Sequence, residues 1–351
     1  MDDNNNKIKI NMLSMADSVD GQGVGSAYLE LMKLLNEDGK NDFEIFLNKG
    51  TKYDIIHAHT VEPRNYLKLK FSKNPTVAYV HFLPDTLDGS IKLPKPIFKI
   101  FKKYVISFYK SADYLVVVNP IFKKDIAKAG IKEDKITYIP NFVSKEMFYK
   151  KTDKEIKDIR KKLGIKENKF VVLGAGQIQN RKGVIDFVEV AKKLPKIDFI
   201  WAGGFSFGGI TDGHHDLKKI MENPPKNVKF LGIVPRNEMN DLFNASDLLF
   251  VPSYNELFPM TILEAISTDT PILLRDLELY EDILFKKYLK GSNNDEFSEI
   301  IKLLSKDKKE YQKQVENAKE ISKFYSKEHV YKMWKEFYTE IAKKKKKEKK
   351  K

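Results

Sequence analysis

The chain has 351 residues, 42% of them apolar and 12% aromatic, which is ample for packed cores and, at about 150 residues per domain, for two of them. There is no cysteine, so disulfides, thiolate metal sites and cysteine nucleophiles are excluded, and a reducing compartment suits the composition. The net charge of +14 asks for anionic partners; no apolar run approaches about 18 residues and no basic-then-apolar leader is present, so neither a spanning helix nor a signal peptide is expected.

In chain order, short β-branched or aromatic runs alternate with stretches of helical period. The first series predicts strands at Lys7–Leu13, Phe43–Leu47, Ile55–Ala58, Thr76–Val80, Tyr114–Val118 and Ile136–Ile139, with helices at Val24–Leu35, Ile97–Tyr109 and Ile121–Ala129. Pro140–Asp153, with Pro140 and Asn141 followed by mixed charge, reads as a linker. The alternation then restarts with strands at Phe170–Gly174, Asp198–Ala202, Val228–Leu231, Leu248–Val251 and Pro271–Leu274, and helices at Val184–Leu194, Asn237–Phe243 and Met260–Ser267. From about Asn294 the pattern is helical, and it ends in a lysine run. Two βαβ series predict an α/β protein of two domains with parallel sheets, residues 1–145 and 146–325, followed by a helix and poly-lysine tail over 326–351. In such sheets ligands sit at the carboxyl ends of strands, so chemistry is expected in the loops after strands, with two facing domains and a cleft between them.

Three of those loops carry residues suited to a phosphorylated ligand. The first is Asp20-Gly21-Gln22-Gly23-Val24-Gly25-Ser26, where glycines let backbone N–H groups approach an anion at a helix start or simply make a tight turn. Its spacing is G-x-G-x-G, with Ser26 where a dinucleotide fingerprint has its last glycine, and no Walker pattern occurs. The second is Gly174–Gly183, ending Asn180-Arg181-Lys182-Gly183. Cations at a helix start oppose its dipole, a cost an anion there would reverse; solvated lysines are the plain alternative. The third, Pro252-Ser253-Tyr254-Asn255-Glu256-Leu257-Phe258-Pro259-Met260-Thr261-Ile262-Leu263-Glu264-Ala265, has glutamates eight apart, one in a loop and one in the helix beyond Pro259. Such a pair can clamp vicinal hydroxyls while the helix N-terminus faces a diphosphate. The plain alternative is that Glu256 caps the helix and Glu264 is exposed.

The E-x7-E element with its flanks, together with the Arg181-Lys182-Gly183 loop, resembles the retaining GT-B glycosyltransferases of family 4, over nearly the whole chain. The resemblance implies the GT-B fold: two Rossmann-like domains whose parallel sheets face a central cleft, with C-terminal helices. It implies that Glu256 contacts donor-sugar hydroxyls and Glu264 the ribose, that Lys182 and Arg181 hold the diphosphate, and that Gly23, Gly25, Phe258, Met260 and Thr261 line the donor site. Many members carry an arginine where this chain has Gln177, so Arg181 either replaces that cation or points to solvent. The resemblance also implies a histidine after an N-domain strand; His81, in Ala78-Tyr79-Val80-His81-Phe82-Leu83-Pro84-Asp85, matches, with His57 and His59 as competitors and Asp85 a poorer candidate. His214 and His215 sit in a Gly/Asp loop. The expected catalytic set is His81, Glu256 and Lys182. No D-x-D motif occurs, so no essential metal is expected.

One further segment bears on the acceptor. Between Arg64 and Lys110 ten cations face only Asp85 and Asp88, and residues 343–351 are lysine except for Glu348. In Pro94–Lys110, Lys95, Lys99, Lys102, Lys103 and Lys110 fall within an arc of roughly 100° on a helical wheel, opposite Ile97, Phe98, Ile100, Phe101, Tyr104, Val105 and Phe108. A lysine face opposite an aromatic one suits an interfacial helix, and Lys95, Lys99, Lys102, Lys103, Phe98 and Phe101 are the expected membrane contacts; a basic surface helix packed on its sheet is the alternative. Within family 4, residues 20–28 and 81–92 look like the glycolipid synthases of low-GC Gram-positive bacteria and their wall-less relatives. That likeness implies transfer of glucose, with galactose the alternative, from a UDP-sugar to monoglucosyldiacylglycerol, in an α-1,2 linkage, by a peripheral enzyme on the cytoplasmic face of the membrane. No tightly bound cofactor is expected. A soluble polysaccharide or wall-polymer acceptor is the competing expectation. Nucleic acid is not expected as a partner, since the basic stretches lack any helix-turn-helix or RNA-recognition signature.

Overall fold

The computed structural model of the protein describes residues 7–14, 23–49, 52–84, 94–205, 214–256 and 258–348. The chain divides into two compact units. The first takes it up to Phe142 and again from Tyr325, and the second takes Val143–Phe324.

The first unit runs β1 (Ile8–Leu13), α1 (Gly23–Glu37), β2 (Phe43–Leu47), β3 (Ile55–Ala58), α2 (Pro63–Lys70), β4 (Thr76–Val80), α3 (Lys95–Lys110), β5 (Tyr114–Val117), α4 (Phe122–Lys128) and β6 (Ile136–Tyr138). The second runs α5 (Asp153–Lys162), β7 (Val171–Ala175), α6 (Val184–Lys193), β8 (Asp198–Ala202), α7 (His214–Glu222), β9 (Val228–Phe230), α8 (Arg236–Ala245), β10 (Leu248–Val251), α9 (Met260–Ser267), β11 (Ile272–Arg275), α10 (Leu279–Ile283), β12 (Leu289–Gly291), α11 (Asn294–Leu304) and α12 (Lys308–Phe324). The last helix, α13 (Lys327–Glu348), returns to the first unit. All seventeen strands and helices expected before Asn294 are present to within two residues. The short α2, α7, α10 and β12 were not expected, nor was α5, which starts where the linker was drawn to end.

Both sheets are parallel throughout, ordered β2-β1-β3-β4-β5-β6 and β12-β11-β10-β7-β8-β9. Central strands covered on both faces read as unbroken apolar runs, and β7 (VVLGA) and β10 (LLFV) are buried at every position. On α6, Val184, Phe187, Val188 and Ala191 recur with helical period and close the second core. Thr152 and Glu155 form a capping box at the start of α5. At the amino ends of β7 and β10, Arg160 of α5 donates from Nε to the Ala245 carbonyl (2.9 Å), from Nη1 to the Lys169 carbonyl (3.2 Å) and from Nη2 to Asp247 (2.8 Å).

Drawn from sequence as a separate tail, α13 is instead part of the first unit's core. Val330, Trp334, Tyr338 and Ile341 pack with Ile10, Val77 and Tyr79 of β1 and β4. Its polar face holds on through Lys335 to Asp42 (2.8 Å), Lys327 to Asp38 (3.1 Å) and Lys345 to Asn74 (2.6 Å).

Strand order decides where a ligand can enter. In the second sheet the chain builds outward from β7 through β8 to β9, then returns to β10 on the other side of β7 and continues to β11 and β12. The loops after β7 and β10 therefore leave neighbouring strands in opposite directions and open a crevice. In the first sheet the same reversal falls between β1 and β3.

Candidate active site

The loops after β7 and β10 are the two that carry the basic turn and the glutamate pair. Gly183 has φ +69°, and a Cβ on it would stand 2.3 Å from the Pro252 carbonyl oxygen, so the close approach of the two loops requires glycine there. The Tyr254 N–H donates to the Arg181 carbonyl (2.8 Å). Across this seam Lys182 Nζ donates to the Glu256 carboxylate, which is buried, while the Lys182 side chain is 14% exposed. Burial holds the Lys182 ammonium below the usual lysine range, and the Glu256 charge opposes that shift. Neither plain alternative holds. Lys182 is not a solvated surface lysine, and Glu256 does not cap α9, whose cap position is Pro259 with no side-chain bond.

Arg181 is held by both loops rather than pointing to solvent. Its Nε donates to Gln179 Oε1 (2.9 Å) and its Nη1 to the Asn255 carbonyl (3.2 Å), so it ties the loops together. Gln179 is buried and donates in turn to Gln177 Oε1 (2.9 Å). Glu264, at the fifth position of α9, is only 6% exposed, with its carboxylate 3.7 Å from Arg236 Nε at the start of α8. Phe258 and Met260 are buried beside it in sequence, and the Thr261 hydroxyl, in the first turn of α9, is buried with no hydrogen-bond partner among the described residues.

The first unit gathers the histidines. His81 follows β4, and its Nε2 lies 3.4 Å from His59 Nδ1. The His59 and His57 rings are 4.2 Å apart, and His57 Nδ1 shares a proton with the Tyr338 hydroxyl of α13 at 2.7 Å. Tyr79 packs edge-on against His81 at 4.2 Å. Burial pushes His57 and His81 down to about 3 and His59 well below its ordinary value, so all three imidazoles are neutral near pH 7. Gly23 and Gly25 lie in the first turn of α1, at the helix start where the sequence placed them. Gly21 and Asp85 lie outside the described residues, as does the side chain of His214; His215 is exposed beside Asp216.

Helix α3 is amphipathic, and part of its apolar side packs on the first unit. Val105, Phe108 and Tyr109 are buried in the first unit and Phe98 and Phe101 are half-buried, so much of the aromatic side faces protein. Lys99 and Lys103 are exposed, Lys102 stacks over Phe98 at 4.8 Å, and the side chain of Lys95 lies outside the described residues. The apolar surface left to solvent is Ile97 (52%) and Ile100 (69%), joined by Leu67 (54%) and Phe71 (73%) in and just after α2. The two helices touch through Tyr66 and Ser107 (3.0 Å between hydroxyls). A groove of about 580 Å³ between α3 and α4 is lined by Leu83, Ile106, Ile126, Lys103 and Lys110. Among the described residues no helix is long and apolar enough to cross a membrane.

With this geometry in place, the comparisons with known proteins decide the family. The Glycosyltransferase Family 4 description matches residues 40–146, and that of Glycosyl transferases group 1 matches residues 155–321. The alpha-galactosylglucosyldiacylglycerol synthase of Streptococcus pneumoniae is 47% identical over 338 residues, spanning 96% of this chain and 90% of that protein. This chain is a family 4 glycosyltransferase.

A second relative, the processive diacylglycerol alpha-glucosyltransferase of Acholeplasma laidlawii, is 29% identical over 92% of the chain and 94% of its own length. Two solved structures share the glycosyltransferase's GT-B fold. Anabaena HepE, in complex with UDP and glucose, has a TM-score of 0.74 at 18% identity, covering 95% of this chain and 99% of that one. Sucrose-phosphate synthase from Thermosynechococcus elongatus has a TM-score of 0.77 at 14% identity, with the same coverage. Sequence reading of this glycosyltransferase missed Arg236 and Arg275. A usable signal existed for Arg275: it is a cation closing the otherwise apolar strand run ILLR at its carboxyl end.

Proposed function

We propose that this glycosyltransferase transfers a hexose from a UDP-sugar to monoglucosyldiacylglycerol at an anionic membrane surface, with retention at the anomeric carbon. The observation that carries the reading is the largely buried Lys182–Glu256 pair at the β7/β10 reversal, in a chain so similar along its length to a diglycosyldiacylglycerol synthase. Cleavage of the anomeric C–O bond leaves charge on the departing diphosphate, so a fixed ammonium and the N–H groups at the start of α9 are the groups that stabilise it. Lys182 turns from Glu256 to the diphosphate when the donor binds. Glu256 then accepts from donor-sugar hydroxyls and Glu264 from those of the ribose. His81, neutral and buried, serves the reaction from the first unit without supplying a formal charge.

Glucose and galactose both remain donors to be compared, since the pneumococcal relative is named for a galactosyl product and the Acholeplasma relative for a glucosyl transfer. The chain contains no D-x-D sequence, and with Lys182 and α9 on the diphosphate, turnover proceeds without an added divalent metal. The enzyme is peripheral to the cytoplasmic face, held by the lysines of α3 and the C-terminal run; each lysine near an anionic bilayer contributes about 1 kcal/mol.

The test is to incubate radiolabelled UDP-glucose or UDP-galactose separately with diacylglycerol and with monoglucosyldiacylglycerol in anionic micelles, then separate the lipids. Label in a diglycosyl lipid, formed only from the monoglucosyl acceptor, is the expected result. Label on diacylglycerol alone, or on neither lipid, refutes the acceptor assignment.

A further inference from the structure

Arg275, the last residue of β11, is buried, and its guanidinium is shared among the Glu256 loop, the start of α6 and the turn after β12. Its Nε donates to the Pro252 carbonyl (2.8 Å), where β10 gives way to the Glu256 loop. Its Nη2 pairs with Asp186 (3.0 Å) in the first turn of α6, four residues beyond Lys182. Its Nη1 donates to the Ser292 carbonyl (3.1 Å) after β12. Its Cζ stacks 3.9 Å over the Tyr254 ring, whose hydroxyl bonds to Asp186 and whose N–H is held by Arg181. One side chain on a third strand thus grips the start of α6, the helix into which the loop after β7 leads, and the loop after β10 at once.

The same unit contains a matched counterpart. Arg160 also donates from Nε and Nη1 to two carbonyls and from Nη2 to an aspartate, but at the amino ends of β7 and β10, the far end from the loops. One arginine clips each end of the same strand pair. Both stabilise the sheet, and only one sits where ligands of parallel sheets are held.

We propose that Arg275 is a positioning residue for transfer: it holds the loops after β7 and β10 in the register that sets Lys182 opposite Glu256. The proposal rests on the donor-site reading above and extends it to a residue that touches no reacting atom. Loss of Arg275 lets the Glu256 loop shift against Lys182, and a displacement of about 1 Å at a reacting centre lowers turnover by about 10²-fold. The requirement is geometric as well as electrostatic, because a lysine keeps the charge but cannot serve Pro252, Ser292 and Asp186 together.

The experiment compares Arg275→Ala, Arg275→Lys and Asp186→Asn with Arg160→Ala in the full-length enzyme, recording melting temperature, kcat per folded molecule and the KM for the UDP-sugar. The expected result is that Arg160→Ala and Arg275→Ala both lower the melting temperature, while only Arg275→Ala lowers kcat, by about 10²-fold. Arg275→Lys and Asp186→Asn, which keep the fold if Arg275→Ala does not, should fall between wild type and that loss. If Arg275→Lys and Asp186→Asn keep wild-type kcat, or if Arg160→Ala loses as much turnover as Arg275→Ala, the proposal is wrong. A parallel Lys182→Ala sample separates the two ideas, because full turnover in that variant refutes the donor site itself, whatever Arg275 does.

Discussion

Lys182 and Glu256 lie 74 positions apart and meet in a largely buried ion pair at the carboxyl ends of adjacent strands β7 and β10. An ammonium with a carboxylate for a partner is held ready without being left alone in a dry site, and it can be drawn off by a more highly charged anion.

Lys182→Ala is therefore expected to do two things. Turnover falls by about 10²–10³-fold, the usual effect of removing one charge-stabilising donor. The variant is also less stable by about 3–5 kcal/mol, because Glu256 is left as a lone buried charge. Adding Glu256→Gln to Lys182→Ala should recover much of that stability and none of the turnover, which single-turnover assays and thermal melts will show.

Glu264→Ala should act on the nucleotide. The loss of a hydrogen bond from ribose hydroxyls to a charged acceptor corresponds to about 1.5–3 kcal/mol, so calorimetric titration with UDP should show binding weakened roughly 10- to 100-fold.

His81→Ala should separate binding from chemistry the other way. UDP affinity stays near wild type while kcat falls, since His81 belongs to the first unit and the nucleotide contacts proposed here belong to the second. A rise in the UDP dissociation constant that matches the loss of kcat would show that His81 serves donor binding instead.

The histidine cluster also predicts a pH dependence of stability. His57 and His81 titrate near 3 in the folded protein and near 6.5 in the unfolded chain, so between those values the unfolded state holds more protons. Stability is then complete above about pH 6.5 and falls as pH drops toward 3, at up to about 1.4 kcal/mol per pH unit for each histidine. In a Trp201→Phe background, Trp334 reports on the first unit alone, 5.4 Å from His57. Urea midpoints followed by its fluorescence should decline from pH 7 to 5, and less steeply in His57→Phe.

Replacing Lys99, Lys102 and Lys103 with glutamine should cost about 3 kcal/mol of affinity for vesicles containing anionic lipid, roughly a hundredfold. High salt should release the wild type in the same assay. Turnover on a detergent-dispersed acceptor should survive the triple replacement, and Leu67→Ser with Phe71→Ser should weaken vesicle binding without a change in charge.

Much of this protein follows from local pattern. Period-2 and period-3.6 apolar spacing, read in order, is enough to call two βαβ series, because a strand buried on both faces and a helix buried on one leave different marks on sequence. Glu256 and the basic turn could be singled out as candidates because each lies in a loop directly after a buried strand, and Glu264 because it falls in the helix that the same loop enters; the roles given to them came from the family resemblance. Strand order left no such mark. That β10 lies beside β7 is a consequence of tertiary pairing, and only that pairing brings Lys182 to Glu256, commits Arg181 to Asn255 and lets Arg275 reach both loops. Burial is likewise a property of the assembled unit. The sequence showed three histidines in or after strands and a lysine-faced helix; that His57 is dry against Tyr338, 281 positions away, and that Ile97, Ile100, Leu67 and Phe71 stay in water, depended on what packs against them in the folded unit.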